Sequence, residues 1–151
     1  YGIDPTAPWW TEEQRLGFAS LQPFKECRSR VMTHTRELRE RLEAIRAGGG
    51  RVLGYGASTK GNVILQFAGI DRDLLPAIAE VNEDKFGCFT PGTWIPIISE
   101  AEARARKPDY FLVLPWHFRT GILEREAAYL AAGGKMIFPL PSIDVVSAYR
   151  R

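Results

Sequence analysis

A chain of 151 residues with 45% apolar and 25% charged side chains has the balance of one compact globular domain. A net charge of +2 is too small to argue for nucleic acid, and no apolar run is long enough to span a membrane. There is no charged-then-apolar leader and no Asn-x-Ser/Thr sequon, so the expected place of work is the cytoplasm. Arginine outnumbers lysine by 15 to 5, which suits carboxylate or phosphate pairing and equally suits a compositional bias.

The first ten residues are rich in Pro and Gly and set Trp9 beside Trp10, the composition of an excised linker. Thr11-Glu-Glu-Gln14 fits a capping box and predicts a helix start there, and Pro23 interrupts that helix or opens the next. From Phe24 the residues Phe24, Cys27, Val31, Leu38, Leu42 and Ile45 follow helical steps of three and four, with Thr35 filling the gap. That spacing predicts a long amphipathic helix with Arg- and Glu-rich outer positions, ended by Gly48-Gly-Gly50. Cys27 and Cys88 make no metal-ligand spacing with His34 or His117, so they are read as buried or half-buried thiols in a reducing compartment.

From Arg51 short apolar runs alternate with helical spacing. Strands are predicted at 52–55, 77–81, 95–98, 110–114 and 135–138, with an edge strand at 143–146. Helices are predicted at 60–68, from Ser99 to about 107, and at 119–131. Ser99-Glu-Ala-Glu102 is a second candidate capping box. Continuous apolar strands alternating with helices argue for a parallel sheet covered on both faces. Strand–crossover–strand units are right-handed, so the expected fold is α/β: a three-layer, Rossmann-like, mostly parallel doubly wound sheet preceded by a long N-terminal helical segment. Residues 1–50 are then linker and helices, and 51–151 the binding domain.

The junction of the first strand and its helix is chemically the richest stretch. It reads Gly54-Tyr-Gly-Ala-Ser-Thr-Lys-Gly-Asn62. A strand feeding a glycine turn that opens a helix aims backbone N–H groups and the positive end of the helix dipole at one place, which favours an anion such as a phosphate. Ser58, Thr59, Lys60 and Asn62 add side-chain donors and one positive charge; Gly54, Tyr55, Gly56, Ala57 and Gly61 shape the turn. The glycines run Gly54-x-Gly56-x-x-x-x-Gly61, two residues longer than the dinucleotide fingerprint, and Thr-Lys-Gly-Asn is not the P-loop order. A plain connecting turn is the alternative, though few plain turns hold so many donors.

Ligands on such sheets sit beyond the carboxyl ends of the strands. The second strand ends at Glu80-Val-Asn82, where a carboxylate can grip a ribose diol or simply face solvent. After the fourth strand comes Pro115-Trp-His-Phe-Arg119. Trp116 and Phe118 offer rings for stacking, and His117 and Arg119 can reach a phosphate or sugar. A lone His beside aromatics is more often a structural donor than a catalyst. Arg119 at a helix start opposes the dipole unless an anion compensates it.

Together with that turn, Glu80-Val-Asn-Glu-Asp-Lys-Phe-Gly87, Thr90-Pro-Gly-Thr-Trp-Ile-Pro-Ile97, Leu114-Pro-Trp-His-Phe118 and Gly133-Gly-Lys-Met-Ile-Phe-Pro-Leu-Pro141 resemble the C-terminal domain of the sugar-nucleotide C-methyltransferase family. The resemblance runs from about residue 16 to 146, with the motifs in family order. It implies a three-part enzyme: a zinc-binding N-terminal segment, a central S-adenosylmethionine-dependent domain, and this Rossmann-like domain. The implied reaction moves a methyl group to a ring carbon of a deoxy-keto sugar on a nucleoside diphosphate. A base in the central domain takes the proton made acidic by the adjacent ketone.

This chain is implied to help hold the nucleotide sugar. The resemblance adds Lys85, Pro91, Gly92 and Thr93 to the substrate-binding candidates and assigns the chain no catalytic residue and no metal ligand. No cofactor is expected in this stretch itself; S-adenosylmethionine and zinc go to the missing domains, which are its expected partners beside the nucleotide sugar. Glu80 stands where many members carry Asp, one methylene shorter. Two other classes stay open: a stand-alone Rossmann-like domain for NAD, CoA or another nucleotide, and a docking domain with no ligand.

Overall fold

A computed structural model describes residues 7–147. The chain divides into two compact units between His34 and Thr35, inside one long helix. The first unit holds α1 (Pro8–Arg15) and the start of α2 (Gln22–Ala47). The capping box expected at Thr11 does not form. Helix α1 starts three residues earlier, with Ala7 as an N-cap lacking any side-chain bond and Pro8 at the first position, where its fixed φ and missing N–H suit a helix start. Pro23 opens α2 rather than interrupting α1.

The apolar stripe of α2 is only partly used. Leu38 and Leu42 are fully buried and Ile45 packs beside them, but Phe24 and Val31 are 57% and 42% exposed. The thiols correct another expectation: Cys27 and Cys88 are both free and exposed. Both are expected to react rapidly with a chromogenic disulfide reagent in native buffer. A thiol that reacted only after denaturant was added would contradict this placement.

The second unit contains a six-stranded sheet in the order β3-β2-β1-β4-β5-β6. Its strands are β1 (Val52–Tyr55), β2 (Ile78–Glu80), β3 (Ile97–Ser99), β4 (Tyr110–Val113), β5 (Lys135–Phe138) and β6 (Asp144–Val146). All neighbours are parallel except β5 and β6. This is the doubly wound Rossmann-like architecture with an antiparallel edge. Successive side chains point to opposite faces of a strand, and both faces are apolar. Val52, Ile78, Leu112 and Ile137 meet Leu38 and Leu42 of α2 and Leu65 of α3 (Thr59–Phe67). Leu53, Phe111, Val113, Met136 and Phe138 meet Ala103 of α4 (Glu100–Ala105), Ile122 and Leu123 of α5 (Arg119–Arg125), and Leu130 of α6 (Ala127–Ala131). The apolar runs are therefore strands sandwiched between two helical layers.

Two local details position the site. Ser99 caps α4 by accepting from the Glu102 N–H at 3.1 Å, as its sequence pattern predicted. The single helix expected at 119–131 is instead broken at Glu126, whose backbone leaves the helical range at φ −94, ψ 14. Glu126 is 2% exposed, with its carboxylate turned inward onto Tyr55 and Arg104.

Candidate functional site

The order of the strands reverses between β1 and β4, so the crevice beyond their carboxyl ends is where the chain leaves room for a ligand. The turn from β1 to α3 fills its floor. Gly56 has φ +75, and a Cβ there would lie 2.8 Å from the Pro115 ring. At Gly61 a Cβ would lie 2.4 Å from the Leu114 Cβ, so only glycine lets α3 pass this close to the end of β4. Ser58 is the N-cap, its Oγ accepting from the Gly61 N–H at 3.0 Å. The Ala57 N–H is taken by Glu80. The N–H groups of Ser58, Thr59 and Lys60 have no partner among the described residues, which leaves three donors at the positive end of a nine-residue helix. Lys60 beside them is exposed and in no ion pair among the described residues.

Glu80 organises this turn from below. It is 7% exposed. Its Oε2 accepts from the Ala57 N–H at 3.0 Å and from the Lys85 Nζ at 3.1 Å; its Oε1 accepts from the Val81 and Asn82 N–H groups at 2.8 and 3.1 Å. Lys85 also donates to the Ala57 carbonyl at 2.9 Å, closing a ring of contacts between the two loops. Burial raises the Glu80 pKa, but the Asn82 and Val81 N–H groups and the Lys85 ammonium outweigh it and hold the carboxyl below the usual range. Four donors use the acceptor capacity of a carboxylate. The expected grip on a ribose would have to compete with all of them.

Two cavities flank the turn and share Ala57, Ser58 and Lys85. The first, about 390 Å³, lies on the α4 and α5 side, lined by Tyr55, Val81, Glu100, Phe118, Ile122 and Arg125 among others. The second, about 230 Å³, lies on the α3 side, with Thr59, Asn62, Leu65 and Pro91 in its wall. Behind the first cavity, the Tyr55 hydroxyl donates to Glu126 at 2.9 Å, and Arg104 donates to both oxygens of Glu126 at 2.9 and 2.8 Å. Burial, and then the Glu126 charge, push the Tyr55 phenol well above the usual tyrosine range. Tyr55 is therefore a neutral wall of the cavity.

Over residues 6–141 the chain matches the family described as the C-methyltransferase C-terminal domain. The chain belongs to that family. It is also 34% identical over 137 residues to C-methyltransferase NovU of Streptomyces niveus. That alignment covers 91% of this chain and 33% of the relative, so the chain spans about a third of the length of the curated relative it matches.

Within this C-methyltransferase domain the candidate residues separate into two groups. Tyr55, Gly56, Ala57, Ser58, Thr59, Asn62, Glu80, Lys85, Pro91 and Phe118 gather around the turn and its cavities. Lys60 stands exposed beside them and Gly61 lies against Leu114, while the other candidates line neither of these two cavities. Gly54 lies under Ile78, where a Cβ would come within 2.6 Å. Asn82 caps the 3-10 turn Glu83–Lys85 through its Oδ1. Thr93 is buried against Thr90, their hydroxyls 2.6 Å apart, and Gly92 turns at φ +77 against Gln66. Trp116 packs on the inner cluster, and His117 is exposed with its ring against Phe118. Arg119 has its anion within the chain: it ion-pairs with Asp144 of β6 and stacks over Phe138 at 4.3 Å.

Sequence reasoning missed Arg125 and Glu100, which sit in the wall of the first cavity and pair at 2.5 Å. The signal was available. Phe118, Gly121, Ile122 and Arg125 stand at i, i+3, i+4 and i+7, one face of a helix, and all four line the cavity.

Proposed function

We propose that this domain holds a nucleoside-diphosphate deoxy-keto sugar for a cytoplasmic, S-adenosylmethionine-dependent C-methyltransferase. The observation behind this reading is the set of three free N–H groups at the start of α3, with Lys60 beside them and a cavity on either side. A diphosphate matches the donors and the charge; the cavities suit the groups it joins. The methyl donor and the zinc belong in this reading to the two thirds of the enzyme that lie outside the chain, as does the base that takes the sugar's acidic proton. Among the described residues no three His, Cys, Asp or Glu side chains gather as metal ligands, and no helix is long and apolar enough to cross a membrane. Family membership supports the methyltransferase assignment, and the donor-rich turn supports the nucleotide.

Calorimetry with uridine, thymidine and guanosine diphosphates tests it. At least one is expected to bind, and Lys60→Ala is expected to weaken that binding by about 1.5–3 kcal/mol, the loss of one charge-assisted contact. Stability should hardly change, because the side chain is exposed. Binding of NAD or coenzyme A in place of the diphosphates would favour a stand-alone dinucleotide domain. No binding by any of them would leave a docking domain. Unaltered affinity with easier unfolding would make Lys60 structural.

A further inference from the structure

Asn62 lies one turn into α3, in the wall of the second cavity. Its Oδ1 is cut off from solvent and has no hydrogen-bond partner, and its side-chain amide forms no bond elsewhere among the described residues. Buried polar atoms are paired in the great majority of cases, and an unpaired one costs stability. The cavity around it is otherwise well furnished. Leu65, Ile78, Ile97 and Leu114 give it an apolar wall, and Ser58 and Thr59 form its rim next to the free N–H groups. Its volume of about 230 Å³ is below the ~300–1,000 Å³ of a whole drug-sized site and suits a single ring.

We propose that this cavity is a ring-binding subsite and that Asn62 is its specificity-determining residue. The proposal rests on the nucleotide-sugar reading above. A carboxamide presents a donor beside an acceptor, so its complement is a ring edge that does the same. A diphosphate on the Ser58, Thr59 and Lys60 N–H groups has one of its ends at the mouth of this cavity. Asn62 stands one helical turn beyond Thr59 and therefore on the same side of α3. Both a nucleobase edge and a sugar's vicinal hydroxyl and carbonyl groups present that chemistry, and the site selects the ligand whose ring completes the pair.

The experiment compares wild type, Asn62→Ala and Asn62→Leu in the 151-residue chain. Calorimetry is run with inorganic pyrophosphate, with uridine, thymidine and guanosine diphosphates, and with UDP-glucose. Asn62→Ala is expected to lower affinity for the ring-bearing ligand by about ten- to a hundredfold while pyrophosphate is unaffected. A loss already present with the free diphosphates assigns the cavity to the base; a loss seen only with UDP-glucose assigns it to the sugar. Asn62→Leu is expected to melt no lower than wild type, because an apolar side chain of similar size removes an unpaired polar atom. Equal affinity of wild type and Asn62→Ala for every ring-bearing ligand overturns the role of Asn62 alone. An equal loss for pyrophosphate, or a clearly lower melting temperature for Asn62→Leu, also overturns it and makes the side chain part of the frame. Failure of wild type to bind any nucleotide overturns the nucleotide-sugar reading and this subsite together.

Discussion

Replacing Glu80 with Gln is expected to cost about 2–4 kcal/mol of stability and to weaken nucleoside-diphosphate binding at the same time. The carboxylate holds four donors on two oxygens. A Gln side chain keeps one oxygen and turns its NH₂ toward two of those donors, so one pair of contacts becomes donor against donor. With the oxygen kept on the Val81 and Asn82 N–H groups, the opposed pair is the Ala57 N–H and the Lys85 ammonium. Those two fix the turn that leads into α3. The free N–H groups would lose their aim.

The pH dependence follows from the lowered pKa of Glu80. A carboxyl whose folded pKa is depressed binds its proton more readily in the unfolded chain. Its stabilisation is therefore whole above the unfolded value of about 4.3 and drains away as the pH falls from there through the folded value. The stability gap between wild type and Glu80→Gln should be widest at neutral pH and should narrow in acid below that value. Urea melts at a series of pH values measure it; a gap that stayed constant into acid would mean that the carboxylate charge contributes nothing.

Glu126→Ala is expected to be the most damaging single change in the frame of the first cavity, at about 3 kcal/mol or more. Glu126 is 2% exposed and receives Arg104 through two bonds and Tyr55 through one. Alanine leaves the guanidinium without its carboxylate and the phenol without its acceptor. The Arg104 side chain is 42% exposed, so water recovers part of its loss, which keeps the cost at the lower end for a broken buried pair. The Tyr55 phenol provides an independent readout. Burial is the larger cause of its raised pKa and remains in the variant, while the Glu126 charge is the next cause and disappears. Ultraviolet titration should show the Tyr55 ionisation moving down, yet staying above that of an ordinary tyrosine. A variant as stable as wild type, with an unmoved phenol titration, would show that the three side chains are not coupled.

Much of the architecture was legible in local pattern. Runs such as 52–55, 110–113 and 136–138 carry no charged residue because both faces of the sheet are covered, and alternation with helices then implies parallel strands. The caps at Ser58 and Ser99 are set by residues within a single turn, whereas the close passage at Gly61 is set by Leu114 at the end of β4. Where two local signals competed the outcome was less readable: Pro8 and Thr11 both mark a helix start, and the proline's fixed φ prevailed.

The partners of the long charged side chains were decided by tertiary structure alone. Arg119 was read as a ligand for an external anion, but β6 returns antiparallel beside β5 and delivers Asp144 to it. Arg125 reaches Glu100 across 25 residues, and Glu126 turns inward where helical spacing predicted an unbroken helix. Glu80 was placed correctly at the end of β2, yet the donors that occupy it come from the neighbouring turn as well as its own loop. Periodicity and capping are interactions over three or four residues, and the sequence determines them by itself. A guanidinium or carboxylate on a flexible stem pairs with whichever charge the strand order β3-β2-β1-β4-β5-β6 brings within its reach, and that order exists only in the folded chain.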